Sequence, residues 1–158
     1  MATPINGGDL MLFLKKGDET EDFVSIAFAT SHSLSLSTET VETSTKDNGG
    51  GKWTSKAARK RSWTITTENL FSLDGEGKNF KDLFTLWSDG TEIDVIFSLE
   101  KDYETKPDNV PSGGWTPITA GQYKGKVIIT SLEVNAPNGD NATYSATFEG
   151  VGAITATV

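Results

Sequence analysis

Apolar residues at every second position constrain this chain more than any other feature. In residues 23–30, Val24, Ile26 and Phe28 alternate with Ser25, Ala27 and Ala29, and the same parity returns at Leu34 and Leu36 opposite Ser33, Ser35 and Ser37. Side chains of an extended strand point alternately to its two faces, so this spacing predicts one long strand with a core face and a solvent face. The pattern recurs. Trp63 and Ile65 alternate with Ser62, Thr64 and Thr66 in residues 59–71, and Ile93, Val95, Phe97 and Leu99 have Glu92, Asp94 and Glu100 on the other face. Residues 10–14 form a short apolar run between Gly7-Gly8 and an acidic turn at Gly17, Asp18 and Glu19, which predicts a buried strand. With 35 Ser and Thr and 16 Gly among 158 residues, the chain suits half-exposed strands and turns better than helices. The expected class is mainly β.

Beyond Leu36 the even positions become Thr38, Thr40 and Glu42, so the strand continues after its core-facing residues have run out. It should therefore project. Residues 46–52, with Gly49, Gly50 and Gly51 at their centre, predict a flexible tip before residues 59–71 return as the second strand of a long hairpin. The projecting loop spans about residues 43–58.

One helix is expected where Phe80, Leu83, Phe84 and Trp87 fall at i, i+3, i+4 and i+7, a stripe that should lie on a sheet and bury Trp87. Asn79 stands at the cap, Asp82 at the capping-box position and Gly90 at the stop. Residues 101–122, with Pro107, Pro111, Pro117 and Gly113-Gly114, read as a long loop or irregular edge. Strands at residues 127–134 and 143–149 flank Pro137, Asn138, Gly139 and Asp140, and Asn-Gly between apolar alternations predicts a hairpin. Residues 153–158 are small and β-prone, a last strand or an arm.

At this length one domain over residues 1–158 is the expectation, because such a chain buries roughly 70% of its unfolded surface around a single core. The net charge of −8 is unevenly spread. Residues 45–61 hold Lys46, Lys52, Lys56, Arg59, Lys60 and Arg61 against Asp47 alone, a charge of +5 that leaves −13 for the rest. Such polarity favours head-to-tail contact between copies, or an acidic partner. The opening residues lack the pattern of a signal peptide, and no apolar run approaches the ~18 residues needed to span a bilayer. The chain reads as soluble, made in a cytoplasm and not bound to membrane.

The parts needed for catalysis are missing or explained more simply. Cysteine is absent, and His32 is the only histidine, so thiol chemistry, Ser-His-Asp triads and multi-histidine metal sites lack most of their members. His32 reads as a strand or turn residue. Gly49, Gly50, Gly51 and Lys52 suggest a phosphate loop, but position 46 is Lys46 and position 53 is Trp53, which breaks the motif. Glu39 with Glu42, and Asp18 with Glu19, Glu21 and Asp22, read as solvated carboxylates, and the latter run lacks the spacing of a calcium loop. No enzyme activity, cofactor or metal is expected. Trp63 and Trp87 read as core, whereas Trp53 and Trp115 lie in glycine-rich loops and read as contact residues between subunits or, alternatively, as a ligand-stacking face.

The stretch from Ser35 and Leu36 through Glu39, Val41 and Glu42 to Lys46 and Asp47, a loop with Trp53, and then Lys60, Arg61, Trp63, Ile65 and Asn69 to Phe71 resemble the major tail proteins of long-tailed phages, particularly the lactococcal siphophage type. The helix through Phe80 and Trp87, the strand at 93–99 and the closing hairpin follow in the order of that family, so the resemblance covers nearly the whole chain. It implies a β-sandwich or barrel with one flanking helix and a long projecting hairpin. It also implies subunits that join sheets side by side into rings, usually six-fold, which stack into a hollow tail tube for genome delivery.

By the same resemblance Lys46, Asp47, Asn48, Lys52, Trp53, Lys56, Arg59 and Arg61 would contact neighbouring subunits or the adjacent ring. Glu39 and Glu42 would face an acidic lumen through which DNA passes without specific binding. The partners implied are further copies of the chain, a tape-measure protein and a terminator or tip protein, with a final place in the virion tail after synthesis in the bacterial host cytoplasm. The alternatives are a tube subunit of a secretion or contractile injection system, and a carbohydrate-binding or adhesion β-sandwich using Trp53 and Trp115.

Overall fold

Phe28 takes a left-handed backbone, φ 55°, and there the single strand expected over residues 23–37 breaks in two. The computed structural model describes residues 4–5, 7–15, 23–43, 53–73, 77–101, 115–119 and 121–157. β1 (Leu10–Lys15) pairs antiparallel with β2 (Phe23–Ser25). After the turn at Ala27 and Phe28 the chain has crossed to the far edge of the sheet, where β3 (Ala29–Glu42) pairs with β4 (Lys56–Leu70). The parity expected from Val24, Ile26 and Phe28 fails for a physical reason. Phe23, Val24, Ser25, Ile26 and Ala27 are all buried, because this segment is covered on both faces, and Phe28 is turned out to solvent.

The remaining elements are α1 (Phe80–Asp89), β5 (Ile93–Leu99), β6 (Gln122–Asn135) and β7 (Thr143–Thr157). Among the described residues the strands form one antiparallel sheet in the order β2-β1-β5-β6-β7-β4-β3. The β6–β7 ladder is its spine and is flanked unevenly. β4 pairs with β7 only over residues 143–149, whereas β5 pairs with β6 only over residues 123–127, which stand opposite residues 150–156 of β7. One half of the spine thus belongs to a β3–β4–β7–β6 sheet and the other to a β7–β6–β5–β1–β2 sheet. Register shifts between Lys124 and Lys126 and between Ile129 and Ser131 bend the ladder from one half into the other.

The two ends of the sheet approach each other. Leu12 N–H donates to His32 Nδ1 at 3.3 Å, joining β1 to β3 through a side chain where no backbone ladder closes the seam. The enclosed core gathers Leu12, Leu14, Trp63, Ile65, Leu83, Val95, Val127, Tyr144 and Phe148. Each fully buried large apolar side chain contributes about 1.5–3 kcal/mol relative to exposure. Phe13, Phe23 and Ile96 form a smaller cluster on the other face of β1, β2 and β5, with Met11 and Trp115 against it.

Two core expectations need correction. Leu36 is 65% exposed and Leu34 is the last residue of β3 to pack on the core. On α1, Leu83 is fully buried and Phe80 and Leu86 pack on the core, but Phe84 and Trp87 are 50% and 46% exposed. The helix lies beside the half of β6 that β5 leaves unpaired, so its Phe84 and Trp87 flank overhangs the sheet instead of lying on it. Its caps are those read from the sequence. Asn79 accepts from Asp82 N–H at 3.3 Å, Asp82 accepts from Asn79 N–H at 3.1 Å, and Gly90 ends the helix in a left-handed conformation.

Candidate assembly interface

The β3–β4 hairpin continues as a two-stranded ribbon. Its ladder runs from Ala29 opposite Asn69 to Glu42 opposite Lys56, but β7 accompanies β4 no further than Thr64 opposite Glu149. Residues 35–43 of β3 and its extension are exposed, as are residues 56–62 of β4. Nothing in the core holds them; the ladder and β-prone Thr and Val residues do.

Trp63 fills the fork where β4 and β7 separate. Its indole is buried against Gly125 and Gly150, where a Cβ at Gly125 would come within 2.6 Å of the ring and one at Gly150 would overlap it. Nε1 donates to the Gly152 carbonyl at 3.1 Å, and Gly152 itself has a left-handed φ of 78°.

Along the ribbon, Thr38 stands opposite Arg61 and Thr40 opposite Ala58, so β4 carries one extra residue, a bulge around Arg59 and Lys60. Glu42 faces Lys56 across the ladder. Glu39 and Glu42 are three apart on one strand and therefore lie on opposite faces, so the pair expected to share a lumen wall is divided by strand alternation. No ion pair with a described partner holds Glu39, Glu42, Lys56, Arg59, Lys60 or Arg61. Trp53 is 83% exposed at the start of the return. Lys46, Asp47, Asn48 and Lys52 lie outside the described residues.

Register exposes a surface that the linear sequence conceals. On the face of the β3–β4–β7–β6 half turned away from the core, Ser31, Glu68, Ser145 and Glu133 align across four strands. The next rows are Ser33, Thr66, Thr147 and Ser131, then Ser35, Thr64, Glu149 and Ile128. Apart from Ile128 these are hydroxyls and carboxylates, with no cation in any of the three rows. Glu39 continues this face along β3, and Glu42 does not. Among the described residues the half-sheet ends in two unpaired edges, β3 from Leu34 onward and β6 over residues 128–135. Beside the β6 edge, Phe80, Phe84 and Trp87 of α1 form an apolar groove with Thr130, Ser131 and Leu132.

His32 and Trp115 have structural places. Burial lowers the His32 pKa from 6.5 to about 4, against a smaller opposing contribution from a backbone hydrogen bond with Leu10. The ring is therefore neutral at the seam, consistent with Nδ1 as an acceptor. Trp115 packs with Phe13, Phe23 and Ile96 of its own chain, and its backbone exchanges hydrogen bonds with Ser25, N–H to Oγ at 3.2 Å and carbonyl from N–H at 3.0 Å. Trp115, expected as an intersubunit or ligand-stacking residue, is thus half-buried and packed on its own chain, whereas Trp53 is the exposed tryptophan in a loop. The Tyr144 hydroxyl is raised by burial and then by the nearby Asp82 carboxylate. Among the described residues no cluster of three or more His, Cys, Asp or Glu side chains could hold a metal, and no helix is long and apolar enough to cross a membrane.

A family model described as phage tail tube protein matches residues 4–156. No curated protein matches closely enough to count as a relative. The fold is similar to the tail of an empty gene transfer agent particle determined with C6 symmetry, with a TM-score of 0.75 and 22% identity over 98% of this chain and 100% of that one. It is similar also to the SPP1 tail tube, with a TM-score of 0.66 and 13% identity over 98% of this chain and 80% of that one. A chain of the six-fold symmetrised anti-feeding prophage baseplate matches with a TM-score of 0.63 and 8% identity, covering 99% of this chain and 98% of its own.

Proposed function

The chain belongs to the phage tail tube protein family and is a structural subunit of a virion tail tube, and from that premise we propose how one copy joins the next. Rings form when the unpaired β3 edge of one subunit meets the unpaired β6 edge of its neighbour, so that the β3–β4–β7–β6 half-sheets close side by side. The face of Ser, Thr and Glu rows then lines the lumen, and the opposite face keeps the apolar core.

The observation that carries this reading is a half-sheet with two open edges among the described residues and one face whose rows hold no cation and, apart from Ile128 and Leu70, no large apolar side chain. A long unprotected strand edge is a liability in a monomer and a joining surface in an assembly. A closed ring requires two different surfaces of one chain to meet, which β3 and β6 provide. Carboxylates on the lumen wall repel phosphates, so DNA passes without adhering. Glu39, on the lumen face of β3, keeps that role in the proposal, and Glu42 is assigned to the ribbon's other face.

The ribbon and its loop reach towards the adjacent ring. Lys46, Asp47, Asn48, Lys52, Trp53, Lys56, Arg59 and Arg61 form the contact set, and the acidic body of the next subunit is its complement. The subunit is read as non-catalytic, with its single histidine committed to the seam. A tape-measure protein within the tube and a terminator or tip protein at its ends complete the partners proposed. Electron microscopy of concentrated protein tests the reading: rings or tubes are expected, and a strict monomer at every concentration and salt would sink it.

A further inference from the structure

We propose that the groove between α1 and β6 is the socket for Leu36 of the neighbouring copy in the ring. The inference rests on the edge-to-edge reading above and identifies the side-chain contact that would lock it. The groove is lined by Phe80, Phe84, Trp87 and Leu132 with Thr130 and Ser131, and it lies along the β6 edge that no described strand covers. Phe84 and Trp87 meet with their rings tilted and 5.9 Å between centroids yet leave about half of each side chain in water, and Val134 two residues beyond Leu132 is 43% exposed. Leaving this surface wet forgoes about 25 cal/mol for each Å² that could be covered.

Leu36 has the complementary defect. It is 65% exposed at the other open edge of the same half-sheet, on the parity of the core-facing Leu34. When two copies join edge to edge, the inward face of β3 continues the inward face of the neighbour's β6. The helix stands on that side of the sheet. Leu36 therefore arrives on the side of Phe84 and Trp87, away from the hydroxyl rows. An exposed apolar knob on one surface and an apolar cleft on another make a head-to-tail contact that can close into a ring.

The chain has no cysteine, so engineered pairs report single contacts. Wild-type protein is first assembled, which tests the ring itself. Leu36→Cys and Phe84→Cys variants are then mixed, assembled and mildly oxidised. A disulfide-linked dimer is expected in assembled material and not in dilute monomer, and the double variant should give a covalent ladder up to the ring. Tubes that form without this cross-link, or that cross-link equally with Ser145→Cys in place of Phe84→Cys, overturn the socket while leaving the ring intact. Absence of any wild-type ring or tube removes both readings. As a check independent of disulfide geometry, Leu36→Asp should raise the critical concentration by ~10-fold or more with unchanged monomer unfolding while Leu36→Met assembles normally. Normal assembly of Leu36→Asp would likewise overturn the socket.

Discussion

Trp63 Nε1 donates a hydrogen bond to the carbonyl oxygen of Gly152 at 3.1 Å, across the fork where β4 leaves β7. The indole occupies the space that side chains at Gly125 and Gly150 would need. The ribbon's direction is thus set by one tryptophan seated on two glycines.

Gly150→Ala should therefore destabilise the monomer by about 1–3 kcal/mol through overpacking. Trp63→Ala should cost about 3–5 kcal/mol through the cavity it leaves. Urea unfolding measures both. If Gly150→Ala unfolds with the wild-type midpoint, the indole does not sit on that glycine as described.

The His32 seam gives a pH dependence. Its folded value of about 4 lies below the 6.5 of a free imidazole because burial disfavours the charged ring. Between those values the unfolded chain binds a proton that the folded chain does not. The contribution is complete above pH 6.5, declines as pH falls and is gone below about 4, amounting to ~3 kcal/mol in all. His32→Asn retains an acceptor for Leu12 and should lose this dependence. The check is the difference in unfolding free energy between wild type and His32→Asn at pH 7.5, 5.5 and 4; a constant difference would contradict it.

Much of this architecture is legible before any coordinates. The caps Asn79, Asp82 and Gly90 act through local backbone chemistry, and the hairpin beyond Leu34 announces itself because its residues cannot be buried. The break at Phe28 is hidden, since an alternating segment and one covered on both faces look alike when Ser and Ala are the small partners. Trp87 is more exposed, and Trp115 more closely packed on its own chain, than expected for a similar reason. Which flank of a helix overhangs, and which loop folds onto a second cluster, depends on where distant strands stop. The hydroxyl face is the clearest case, because Ser31, Glu68, Ser145 and Glu133 become neighbours only through register.

Reversing charge on the ribbon should block elongation without unfolding the subunit. Arg59 and Arg61 are exposed and lack a described ion-pair partner in their own chain. Arg59→Glu combined with Arg61→Glu is expected to leave the unfolding midpoint within about 0.5 kcal/mol of wild type. Light scattering should show loss of polymerisation. Unchanged polymerisation would remove these arginines from the contact set.

The lumen face can be probed by giving it the wrong sign. Glu68→Lys with Glu149→Lys should still yield tubes, because both side chains are exposed and make no core contact. Such tubes should retain DNA in a way that weakens steeply with salt, as phosphate contacts do. DNA retention equal to wild type would place these residues away from the lumen.

The account's central claim is that the β3 edge of one subunit pairs with the β6 edge of the next, leaving the Ser, Thr and Glu rows facing the channel. A cryo-electron microscopy reconstruction of assembled tubes at a resolution that separates strands tests it most directly. The expected map shows β3 and β6 of adjacent subunits as neighbours in one continuous sheet, with Ser33, Thr66, Thr147 and Ser131 on the channel wall. A map in which either edge faces solvent, or in which those rows lie on the outside of the tube, would contradict it.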